Sequence, residues 1–170
     1  MAYLVRKISR AKWPDQVCNI EELNGDAISD LRTTANTLSL WRVEDLDAID
    51  EAALALAASS KSEHIETLHV VWFCEDDVLK QGFILADDSP GDTIISSMVN
   101  DHRDLCELNY KSLGKFSEMI MQGVAEKNCR RYPKAIMKKA FVDAYRKDLI
   151  DKQKCQQKLL NEILLAAKAV

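Results

Sequence analysis

Five glycines and three prolines in 170 residues leave little material for long flexible linkers. No apolar run approaches the roughly 20 residues that a membrane-spanning helix requires. None of the five cysteines (Cys18, Cys74, Cys106, Cys129 and Cys155) forms a Cys-x-x-Cys pair. A zinc knuckle or a dithiol redox centre therefore has no support, and no metal ligand set is expected. Gly82 and Gly91 stand alone, so no glycine-rich loop can cradle phosphate, and no serine sits in Gly-x-Ser-x-Gly. No cofactor is expected. The opening residues Met1–Lys7 carry a short apolar run before Arg6 and Lys7, unlike a secretory or transit peptide. With scattered, unpaired thiols, the expected location is a reducing cytoplasm.

What is present is enough apolar material for a core, at 47% of residues, and a length suited to one domain. The longest stretch of β-branched and aromatic residues is Thr67–Phe73. Alternation puts Leu68, Val70 and Trp72 on one face and His69, Val71 and Phe73 on the other. Both faces are mostly apolar, which predicts a central strand covered on both sides, as in an α/β sheet. Further strands are expected at residues 3–8, 37–43 and 82–85. An amphipathic helix at 44–59, with acids in its first turns, suits the positive end of the helix dipole. Strand, helix and strand over 37–73 predict a crossover unit. Asp92 or Thr93 is expected to cap a helix through Leu105.

Beyond that point only helices are expected. One carries Leu108, Phe116, Ile120 and Val124; a second starts at Pro133; a third, from about Asp151, carries Cys155, Leu159, Ile163 and Val170. The predicted fold class is thus α/β, with mixed α+β as the variant: about four strands with covering helices, then an all-helical C-terminal subdomain. The charge divides at the same place. Residues 1–105 hold 20 acidic and 9 basic side chains, whereas residues 106–170 hold 7 and 14. The expected organisation is an acidic sheet portion (1–105) packed as one unit with a basic helical portion (106–170).

Three groups of residues carry candidate function. Asp101, His102 and Asp104 are the candidate catalytic set of a small hydrolase or transferase. His102-Arg103-Asp104 matches a tripeptide of protein-kinase catalytic loops, but the glycine-rich loop, strand lysine and Asp-Phe-Gly of kinases are missing. A cysteine nucleophile, Cys74 or Cys106 with His102, lacks any accompanying oxyanion turn. The second group is basic: Lys127, Arg130, Arg131, Lys134, Lys138 and Lys139 fall within 13 residues. Such density suits phosphates or an acidic protein surface. The net charge of −4 works against steering to a polyanion. The third is Trp13, beside Pro14 at a strand end, where an exposed indole would anchor a partner.

The sequence therefore predicts a non-catalytic accessory subunit or adaptor, of the kind prokaryotic and phage operons carry, with an acidic protein as partner and homo-oligomers allowed. A nucleic-acid-binding module using the basic half is the alternative, and the small enzyme is the third reading.

Overall fold

A computed structural model describes residues 1–168. Val170, placed on the last apolar stripe by its spacing, lies outside the described residues. Six strands form one sheet: β1 (Tyr3–Lys7), β2 (Leu38–Val43), β3 (Leu68–Cys74), β4 (Ile84–Ala86), β5 (His102–Cys106) and β6 (Cys129–Tyr132). Their order is β4-β5-β2-β1-β3-β6, and every pairing is antiparallel. Helices α1 (Ile49–Ala57), α2 (Glu75–Lys80), α3 (Tyr110–Ala125), α4 (Lys134–Arg146) and α5 (Gln157–Lys168) surround it. No helix of the described residues is long and apolar enough to cross a membrane.

Strand alternation builds two cores. Val5, Trp41 and Val70 face α1, α4 and α5 together with Met137, Phe141, Leu159 and Ile163. Leu4, Leu40, Val71 and Phe73 face the opposite way, onto Phe116, Ile120 and Val124 of α3 and onto Ala27 and Leu31 of a 3-10 segment. This double covering explains the two-sided apolar pattern of 67–73. The inference from that pattern to a central position does not hold, because β3 is next to the sheet edge and antiparallel to both neighbours. The strand–helix–strand unit over 37–73 is present in a split form: β2 and β3 run parallel but β1 lies between them.

Two strands correct the expected helical stretches. Residues 92–105 were expected as a helix capped by Asp92 or Thr93. They form instead a 3-10 turn (Ser96–Asp101) followed by β5, which pairs with β2 from Leu38↔Leu105 to Trp41↔His102. Likewise the segment after residue 105 is not all helical, since β6 adds to the outer side of β3. Both strands are short and charged, β6 at the sheet edge and β5 one strand in from the other, so neither gives a period-2 apolar signal. The expected count of four strands becomes six.

Local signals set where α3 begins and ends. Asn109 and Ser112 make a reciprocal capping box: the Asn109 side chain accepts from Lys111 and Ser112 N–H, and Ser112 Oγ accepts from Asn109 N–H at 2.7 Å. At the other end Lys127 takes a left-handed conformation (φ 63°). Lys127 N–H then bonds to Val124 O, and Asn128 N–H to Gly123 O at 2.7 Å. This Schellman closure turns the chain directly into β6. Gly123 lets α3 lie close on the sheet, since a Cβ there would stand 2.9 Å from Val71 Cγ2.

Candidate functional site

β5 places His102 and Asp104 on one face, two residues apart, and Arg103 on the other. His102 is buried at 7% exposure, with its ring edge-on to Trp41, centroids 5.0 Å apart. Its Nδ1 lies 3.1 Å from the Ser89 carbonyl, to which it donates. Nε2 is 3.7 Å from Asp104, beyond hydrogen-bond range. Ser89 Oγ donates to Asp104 at 2.9 Å, and Ser39 Oγ does so at 3.2 Å. Serine, histidine and aspartate are therefore neighbours, but not in a relay. A hydroxyl nucleophile needs a free acceptor nitrogen at about 2.6–3.2 Å. Here the nearer nitrogen is 3.5 Å from Ser89 Oγ and is taken up by that residue's own carbonyl. Gly91 completes the packing, because a Cβ there would meet Trp41 at 2.9 Å and His102 at 3.0 Å. The group works as a clasp that holds the turn around residues 87–92 against the sheet.

Asp101 is not part of this group. It lines a separate cavity of about 130 Å³ with Arg42 and Glu51. Cys106 is four residues along β5 from His102, roughly 13 Å away by strand rise. Burial, then Asp104, Asp88 and Glu107, push its thiol pKa up, away from a thiolate nucleophile. Among the described residues, no three His, Cys, Asp or Glu side chains converge as metal ligands.

The six clustered cations do not form one patch. Strand alternation sends Arg130 and Arg131 to opposite faces of β6. Arg130 pairs with Asp50 at 2.6 Å and lies over the Trp72 ring, 5.8 Å from its centroid. Tyr132 Oη donates to the same carboxylate at 2.6 Å. Burial, together with Asp50, raises the Tyr132 pKa. Lys134 reaches Glu162 of α5 at 2.9 Å, and Lys138 stands 3.9 Å from it. Glu162 also accepts the Ile65 N–H at 3.0 Å. Burial alone would raise its pKa, but the Ile65 N–H, Lys134 and Lys138 outweigh that and hold it below the usual range. Arg130 thus ties β6 to α1, and Lys134 and Lys138 tie α4 to α5.

Trp13 was expected at the surface and is instead buried, at 3% exposure. The 3-10 turn Arg10–Lys12 folds it onto the α3-side core, and its Nε1 donates to Asp30 at 2.8 Å. Asp30 also accepts from Ser9 N–H (2.6 Å) and Ser9 Oγ (2.8 Å). Arg6 donates to the Asp30 carbonyl. Burial lowers the Arg6 pKa to about 10, against the opposing pull of Asp30. Nothing local in the sequence signals this hub, because its members lie up to 24 residues apart.

Lys138, with Lys139 and Arg146, also borders a groove between α4 and α5 with a volume of about 480 Å³. Ala135, Val142 and Ala166 supply apolar floor and wall; Lys138, Lys139 and Arg146 stand over it, with Asp143 as the single acid. Ala135, Lys138, Lys139, Val142 and Arg146 recur at i, i+3, i+4, i+7 and i+11, one stripe of a helix. That spacing was readable in the sequence as a mixed apolar–basic stripe, distinct from the core stripe of Met137, Phe141 and Ala144. Residues 134–168 as a whole hold nine cations and four anions, so the α4–α5 pair is the basic element of the molecule. No protein-family model, curated protein sequence or solved structure matches the chain.

Proposed function

We propose that the chain is a non-catalytic protein-contact module, an accessory subunit or adaptor, that receives an acidic amphipathic segment of a partner in the α4–α5 groove. The observation that carries this reading is the groove's composition: an apolar floor of Ala135, Val142 and Ala166 beneath Lys138, Lys139 and Arg146. Amphipathic helices dock in such grooves through apolar residues at i, i+3 and i+4, with flanking charges selecting the partner. An apolar floor offers nothing to phosphate. Of the cations that would have extended the surface toward nucleic acid, Arg130 is drawn to Asp50 and Lys134 to Glu162.

The test is fluorescence anisotropy with a labelled helical peptide of about four turns, carrying leucines on one face and glutamates beside them. A lysine-flanked counterpart and a labelled DNA duplex serve as comparisons. The acidic peptide should bind, and Lys139→Glu with Arg146→Glu should weaken it at least about tenfold. Equal binding of both peptides would refute the charge-selective groove. Tighter binding of the duplex, with log affinity falling linearly with log salt, would replace the reading with the nucleic-acid one.

A further inference from the structure

A second apolar surface lies on the other side of the sheet, where the 20–31 segment meets the start of α3. Ile20, Leu23, Leu31 and Leu113 line a depression of about 230 Å³ there, and Ile28 and Tyr110 stand at its margin. Ile28 is 63% exposed and Tyr110 91%. These are large apolar groups held out in water at one place, the mark of a contact surface. Exposed acids flank them: Glu21 and Glu22 beside Ile20 and Leu23, and Asp26 two residues before Ile28. Lys111, next to Tyr110, and Lys12, which donates to Ser29 at 2.6 Å, are the cations beside this surface.

The two surfaces are opposite in sign. One offers the exposed Ile28 and Tyr110 among acids, with two neighbouring lysines. The other offers a recess among cations with a single acid, Asp143. They also face away from each other: α3 and the 20–31 segment pack on one core, α4 and α5 on the other. We infer that the occupant of the α4–α5 groove is a second copy of this chain, presenting its Ile28–Tyr110 surface, so that copies associate head to tail. This rests on the reading of the groove as a site for acidic amphipathic partners. A contact between unlike surfaces is heterologous, so it extends from copy to copy as an open row unless the rotation closes a ring. A contact of this size belongs to the weak class, with association expected at roughly 0.1 mM protein.

Sedimentation velocity over a concentration series at low and high salt tests this. The wild-type chain should show weight-average mass rising with concentration, and the rise should shrink with salt as the charges are screened. Two variants each disable one surface: Lys139→Glu with Arg146→Glu reverses the groove, and Glu21→Lys with Glu22→Lys and Asp26→Lys reverses the acidic surface. Each alone should stay monomeric, since its reversed surface repels the intact surface of the next copy. Their equimolar mixture should associate again, which also shows that both are folded. Ile28→Ser, with no charge change, should weaken wild-type association by about tenfold. A wild-type chain that remains monomeric throughout, or a groove-reversed variant that associates as the wild type does, overturns the inference. Binding of the acidic peptide by a monomeric wild-type chain would overturn self-association and leave the groove reading standing. Loss of both would remove the two together.

Discussion

The Asp30 hub can be broken at one end, and the cost follows from its bonds. Asp30→Ala removes a carboxylate that accepts from Ser9 N–H, Ser9 Oγ and Trp13 Nε1 at 2.6–2.8 Å. Hydrogen bonds to a charged group contribute about 1.5–3 kcal/mol each when shielded. Ser9 is exposed, so water replaces much of its share. Trp13 is not, and its N–H would be left without an acceptor inside the core, which costs about 1–3 kcal/mol. The expected loss is about 3 kcal/mol, a large part of the roughly 5–15 kcal/mol that a domain has. With a urea slope of about 2 kcal/mol/M, the unfolding midpoint should fall by about 1.5 M. Trp13→Phe keeps most of the apolar packing and deletes the donor. It should destabilise the wild type but cost far less in the Asp30→Ala background, a coupling of about 1–2 kcal/mol. Urea titrations of the four proteins measure this. A midpoint shift under about 0.3 M for Asp30→Ala, or the same Trp13→Phe cost in both backgrounds, would refute the buried-indole account.

Two further expectations concern Lys127 and Glu162. Lys127→Gly should raise stability by about 1 kcal/mol, because Lys127 holds a left-handed conformation (φ 63°) that costs a side-chain-bearing residue about that much; thermal unfolding measures it, and an unchanged or lower midpoint would count against the Schellman closure. Glu162 has a depressed pKa in the fold. Its ionised form therefore adds stability above the ordinary value of 4.5, and that stability is lost as pH falls through the lower, folded value. Glu162→Gln should lower stability at neutral pH and flatten this acid-side loss; parallel pH–stability curves for the two proteins would contradict it.

How far the sequence foretold the structure depended on whether burial left a period. β1, β2, α1 and β3 carry apolar residues at alternating or helical spacing and were legible from it. β5 and β6 were not, because the partner strand, and not their own composition, makes them strands: His102–Leu105 pairs with a ready edge of β2, and Cys129–Tyr132 with one of β3. Trp13 was misplaced for a related reason. Its neighbours Lys12 and Pro14 read as surface, and the acceptor that makes burial of the indole affordable is 17 residues away. The density of cations at 127–139 was legible, but their separation was not. Sequence spacing cannot show that Arg130 and Arg131 leave opposite faces of a strand or that Glu162 draws in two lysines. The groove took only part of that cluster, Lys138 and Lys139, and added Arg146 from farther along α4.

Because, among the described residues, Tyr3–Lys7 is the one strand paired with both β2 and β3, the sheet consists of two smaller sheets, β4-β5-β2 and β3-β6, with a slot between them. Leu4 and Val5, both fully buried and pointing into different cores, are the keys to that slot. A chain deprived of this strand would present two raw inner edges side by side, each seeking a partner. Docking of this strand is therefore the step that makes one sheet out of two.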